Sequence, residues 1–123
     1  MDKPLELSKD DQLRLMRAIY SVFYRDEKIN DIEQSVLTLL NNCFDLKAKD
    51  YRHYVHTNVI DIANEINLIK DVRVRIYFMR IILDVYREEI KEWFNGASKN
   101  HALQFRIMYK SLQNRINITS NCN

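Results

Sequence analysis

Glycine and proline occur once each in the 123 residues, at Gly96 and Pro4. Both residues break helices, so their scarcity favours long helices joined by short links. A single glycine also excludes every glycine-rich phosphate loop. Cysteine is almost as rare. Cys43 falls in the apolar stripe of an expected helix and Cys122 in a polar tail, and two free thiols in a reducing compartment fit these positions better than a disulfide tying the tail to the core. No run of residues approaches the length of a membrane span, and Met1 to Ser8 contains no apolar core of signal-peptide length, so the expected compartment is cytoplasmic. A dominant charge is missing too. The formal net charge of +2 lacks the basic excess usual in nucleic-acid binders, which makes nucleic acid an unexpected partner.

What the chain does contain is a repeated segment. Leu15-Met16-Arg17-Ala18-Ile19-Tyr20-Ser21-Val22-Phe23 returns as Phe78-Met79-Arg80-Ile81-Ile82-Leu83-Asp84-Val85-Tyr86. Each copy reads Met-Arg-x-Ile-x-x-Val-aromatic, which at helical period puts the apolar residues on one side. The expected fold is all-α, a single-domain bundle of five or six helices over 1–116 with two similar helical halves, followed by a flexible tail over 117–123. With 46% hydrophobic residues, the chain is long enough for one such core and too short for two ordinary ones.

Caps and periodicity place the elements. Ser8 with Asp11 starts a helix over about 9–25, and Asn30 with Glu33 forms a capping box that starts a second over 31–44. The second helix is expected to bury Ile32, Val36, Leu39, Leu40 and Cys43. Residues 46–69 keep a helical period but contain Thr57-Asn58, a cap for a fresh start, so one kinked helix and two short ones both remain open. The strongest pattern is at 71–94, where Val74, Phe78, Ile81, Ile82 and Val85 face inward and Gly96 supplies a C-terminal stop. A last helix over 98–116 is expected to pack Leu103, Ile107, Met108 and Leu112.

At the first corner, Asp26-Glu27-Lys28-Ile29-Asn30-Asp31-Ile32-Glu33 gathers four acids. Asp26, Ile29 and Glu33 resemble the corner Asp-Gly-x-Ile-x-x-x-Glu of the TerB-like family, helical domains named for tellurite resistance and built from two similar halves. Glu27 stands where that family has glycine, and in the second half Glu88-Glu89-Ile90 is not followed by an acidic corner, so the resemblance covers the first half. It implies a stress-associated domain, with Asp26 and Glu33 as ligands of a divalent cation. The residues themselves have a simpler reading, since acids in the first turn of a helix are favoured by its exposed amides. Ca²⁺ also wants six or more oxygens, and the loop lacks EF-hand spacing.

Asp50, His53 and His56 share a face if this segment is helical, but no further zinc ligands accompany them in a recognisable pattern, and a solvated face is expected. No catalytic constellation can be assigned from spacing, so an enzyme is not expected. Cations decorate the last two helices among interleaved acids, which reads first as surface ion pairing. Tyr, Trp and Arg also dominate protein interfaces. Arg73, Arg80, Arg87, Tyr86, Trp93, Arg106 and Tyr109 are therefore the candidate partner-binding set. The function expected is a non-enzymatic protein-binding domain, first an immunity protein or antagonist blocking a partner such as a toxin domain. The alternatives are the TerB-like cation-binding domain and a viral bundle that sequesters a host regulatory protein. An apolar face on the last helix would equally serve a homodimer.

Overall fold

The computed structural model describes residues 6–25, 27–93 and 99–119. Five α-helices and no strand occur among them: α1 (Lys9–Phe23), α2 (Asp31–Phe44), α3 (Val59–Asn67), α4 (Val72–Trp93) and α5 (Lys99–Arg115), with a 3-10 turn at Ala48–Asp50 between α2 and α3. The starts follow the caps. Ser8 accepts from the Asp11 amide, and Asn30 and Glu33 close a reciprocal box at the head of α2. Asn58 accepts from the Asp61 amide at the head of α3.

One contiguous core joins the helices. Helix α4 packs against each of the other four, and burying Val74, Phe78, Met79, Ile81, Ile82 and Val85 makes it the central element. Both copies of the repeat bury their apolar sides in this core: Met16, Ile19, Val22 and Phe23 from α1, and Met79, Ile82 and Val85 from α4. The two repeated arginines diverge. Arg17 pairs with Glu65 at 3.6 Å and lies 4.9 Å from the Tyr54 ring centroid, whereas Arg80 is exposed.

Three expectations are corrected. Helix α2 buries Glu33, Leu37, Leu40 and Phe44, while Leu39 and Cys43 are exposed and Ile32 and Val36 are only half-buried. The stripe Leu37-Leu40-Phe44 won because Phe44 carries more apolar surface into the core than Cys43. Cys122 lies outside the described residues. The second correction is α5, whose inward residues are Phe105, Leu112 and Ile116, with Leu103 and Ile107 left 55% and 61% exposed.

Third, residues 51–57 are not helical, so Asp50, His53 and His56 do not share a helix face. Tertiary bonds override the local period: the Tyr51 hydroxyl donates to Asn41 Oδ1 at 2.7 Å, and the His56 amide donates to Ser21 Oγ at 2.9 Å. His56 Nε2 lies 3.3 Å from Glu65 Oε1. Glu65 also receives Arg14 at 3.1 Å. Together these contacts hold the 54–57 link on α1 and α3.

The corner between α1 and α2 carries a local cost. Glu27 adopts φ 62°, in the left-handed region that disfavours any residue with a Cβ. Glu27→Gly is expected to raise stability by about 1 kcal/mol, reduced somewhat by the greater freedom of glycine in the unfolded chain. Thermal denaturation checks it, and an unchanged or lowered midpoint contradicts it.

Burial raises the phenols of Tyr20, Tyr51 and Tyr109 above the ordinary value of 10.0. An unfolded chain therefore loses these protons first. The stability they contribute is complete below about pH 10 and declines as the pH rises toward the folded-state values. A melting temperature that falls above about pH 10, together with phenolate absorbance that appears late in the folded protein, is the expected result. Phenols that all titrate at the ordinary value would refute it.

Candidate functional site

Helices α4 and α5 run antiparallel. Tyr86 stacks on Phe105 with ring centroids 5.0 Å apart and on Tyr109 at 6.3 Å. At the opposite end, Arg75 of α4 donates to the Asn117 carbonyl just beyond α5 at 3.0 Å. Arg75 also donates to the carbonyls of Ile69 and Asn67, and the Asn117 amide donates to Asn67 Oδ1. The sequence placed the cations of the last two helices on their outer surfaces and residue 117 in the tail. Here Arg75 and Asn117 both fasten the end of α5 to the α3–α4 link.

The outer surface of this hairpin follows from helical period. On α4, Arg73, Ile76, Arg80, Asp84, Arg87 and Lys91 lie opposite the core stripe and are exposed. On α5, Leu103, Arg106, Ile107, Lys110 and Asn114 occupy spacings of three and four and are exposed too. Tyr86 and Tyr109 fill the seam between the helices, half-buried. Burial is the main cause of the raised Tyr109 phenol, and the positive charge of nearby Arg87 works against it. Arg87 thus sits electrostatically within reach of the seam.

The structure therefore collects Arg80, Arg87, Tyr86, Arg106 and Tyr109 on one side of the molecule. Arg73 lies 14 positions before Arg87, about 21 Å along the axis, and its guanidinium donates twice to Asp71, at 2.7 and 3.1 Å. That contact lowers the Asp71 carboxyl below its ordinary value, chiefly through the Arg73 side-chain hydrogen bond. The Trp93 side chain lies outside the described residues. Among the described residues, interleaved acids make no ion pair with most of the face. Lys91 pairs with Glu88 at 3.1 Å, but Arg80, Arg87, Arg106 and Lys110 form no ion pair among the described residues. Leu103 and Ile107, expected in the core, were not legible as surface residues of this site, whereas Lys110 is among the cations expected on the outside of the last helix. The only signal was that α5 is apolar on two sides.

Of the two acids proposed for a cation, Asp26 lies outside the described residues. Glu33 is 2% exposed. Its Oε1 accepts from the Asn30 amide and its Oε2 from Arg25 Nη1, both at 3.0 Å, so each oxygen already has a donor from the chain. No group of three or more His, Cys, Asp or Glu side chains placed to hold a metal occurs among the described residues.

A separate concavity of about 580 Å³ opens between the end of α1, the 55–59 segment and α5. Three of its polar lining residues are committed within the fold. Ser21 Oγ donates to the Arg17 carbonyl and accepts from the His56 amide, Asn58 caps α3, and Arg25 pairs with Glu33. No described helix is long and apolar enough to cross a membrane. Comparison of the chain with protein-family models, with curated proteins and with solved structures found no match in any of the three.

Proposed function

We propose that this protein is a non-enzymatic binding module that antagonises a protein partner, as an immunity protein masks a toxin domain, and that it does so through the outer face of α4 and α5. The observation that carries this reading is the two-sided α5. Phe105, Leu112 and Ile116 dock the helix, and Leu103 and Ile107 are left exposed on the other side, beside Arg106 and Lys110. An apolar pair with flanking arginines and nearby tyrosines has the composition of an interface core, where aromatic and Arg residues supply most of the binding energy. The folding core has no need of this second stripe.

The test is affinity capture from the native host with the intact chain and with Leu103→Asp/Ile107→Asp, followed by an assay of the captured protein's activity. One partner should be retained by the intact chain, inhibited by it, and lost with the double variant, while the variant melts within a few degrees of the parent because both sites are exposed. Equal retention by the two chains, or a partner whose activity is unaffected, would overturn the proposal.

A further inference from the structure

We infer that the α4/α5 face accepts an acidic amphipathic helix, laid along the seam between the two helices. This rests on the reading of that face as the recognition surface and specifies what it recognises. Charge makes the first argument. The arginines that face α3 and the α1–α2 corner are matched by carboxylates, Arg14 and Arg17 by Glu65 and Arg25 by Glu33, and at the start of α4 Arg73 is matched by Asp71. On this face Arg80, Arg87, Arg106 and Lys110 are exposed, and Asp84 is the one described acid there outside the Glu88–Lys91 pair. A partner that supplies carboxylates would complete these cations, and such complementarity selects partners and speeds encounter.

Shape and apolar content make the second argument. Leu103 and Ile107 are one helical turn apart on the side of α5 opposite its core stripe, and the half-buried Leu83 and Tyr109 lie nearer the seam, with Arg106 and Lys110 between them and the exposed pair. Arg80 and Arg87 border the seam on one side, two turns apart at about 10 Å, and Arg106 and Lys110 stand on the other helix. Two antiparallel helices present a long groove into which a third helix can pack its ridge. An apolar stripe flanked by acids would cover the exposed leucine and isoleucine while its carboxylates reach both basic borders. A second copy of the chain fits poorly, because a twofold contact through this face would set basic side chains against each other. A nucleic acid would satisfy the cations and leave Leu103 and Ile107 without apolar cover.

The experiment titrates the full chain with a designed helical peptide of about 20 residues that carries leucine at i, i+3, i+4 and i+7 and glutamate on both flanks. A matched peptide with every glutamate replaced by glutamine serves as control. The acidic peptide should bind at least about tenfold more tightly than the control, and should weaken by about tenfold or more as salt is raised from low to about 0.5 M. Arg87→Glu/Arg106→Glu and Leu103→Asp/Ile107→Asp should each abolish binding while keeping the helical circular dichroism of the parent. Equal binding of the two peptides would overturn the charge requirement yet leave the face standing as a recognition surface. No binding of either peptide, binding that survives both double variants, self-association through Leu103 and Ile107, or tighter binding of duplex DNA would overturn the inference outright. The capture experiment above fails independently of these outcomes, since it depends on no peptide.

Discussion

Phe105→Ala is expected to remove about 4 kcal/mol of stability, whereas Leu103→Ala and Ile107→Ala, at residues one turn apart on the other side of the same helix, should each change it by no more than about 0.5 kcal/mol. Phe105 is fully buried. Its ring lies between the Arg25 guanidinium, 4.4 Å from the centroid, and the stacked ring of Tyr86 at 5.0 Å. Truncation thus removes the large apolar side chain that anchors this part of α5, together with the ring contacts to α1 and α4. At about 4 °C per kcal/mol for a chain of this length, the midpoint should fall by roughly 15 °C. Chemical denaturation of the three variants decides the matter. A costly loss at Leu103 or Ile107 with little at Phe105 would mean that α5 docks through its other face, and the proposed recognition surface would then be part of the core.

That contrast also marks where the sequence stopped being readable. Periodicity identifies a helix and its apolar residues, but α5 carries two apolar stripes, and no local rule says which one turns inward. The choice is made by partners distant in the chain, Arg25 and Tyr86 around Phe105 and Asn67 and Arg75 around Asn117. Within 46–69 the fresh start at Asn58 was legible, because its cap is local, but before it the helical spacing gives way to the long-range bonds of Tyr51 and His56. Helix α2 was legible in its bounds because the Asn30–Glu33 box is a local device. Its buried face was misread by a fraction of a turn, since Leu39 and Cys43 compete with Leu37 and Phe44 at neighbouring angles. Helix α4 was legible throughout its described core stripe, because apolar residues occupy one broad side without a rival. The candidate site was partly visible for a related reason. Arg80, Arg87, Arg106, Tyr86 and Tyr109 could be named from residue type, but that Arg73 is spent on Asp71 and that Leu103 and Ile107 join the face required the packing of α5.

Glu33 separates the cation-binding corner from the structural one. Glu33→Ala is expected to cost about 3 kcal/mol, in three parts. The Asn30 amide loses its acceptor, half of the capping box; Arg25 loses its ion pair; and a small void opens at a buried position. The ion-pair share is smaller than for a fully buried pair, because the Arg25 side chain is 25% exposed and water compensates part of the loss. Glu33→Gln keeps an oxygen for the Asn30 amide and removes the charge, so it should fall between the parent and the alanine variant. If the carboxylate serves only the fold, the parent melts at the same temperature in chelator as in millimolar Ca²⁺ or Mg²⁺, and the whole loss appears without any added metal. A rise in melting temperature with a divalent cation, abolished by Glu33→Ala, would instead mean that the ion displaces Arg25 from Glu33 Oε2, and the corner would have to be assigned to cation binding. The two outcomes differ in whether the melting temperature responds to one reagent at all. Because Arg25 also covers the ring of Phe105, displacing it would loosen the docking of α5 as well, and the corner would then be coupled to the face proposed for the partner.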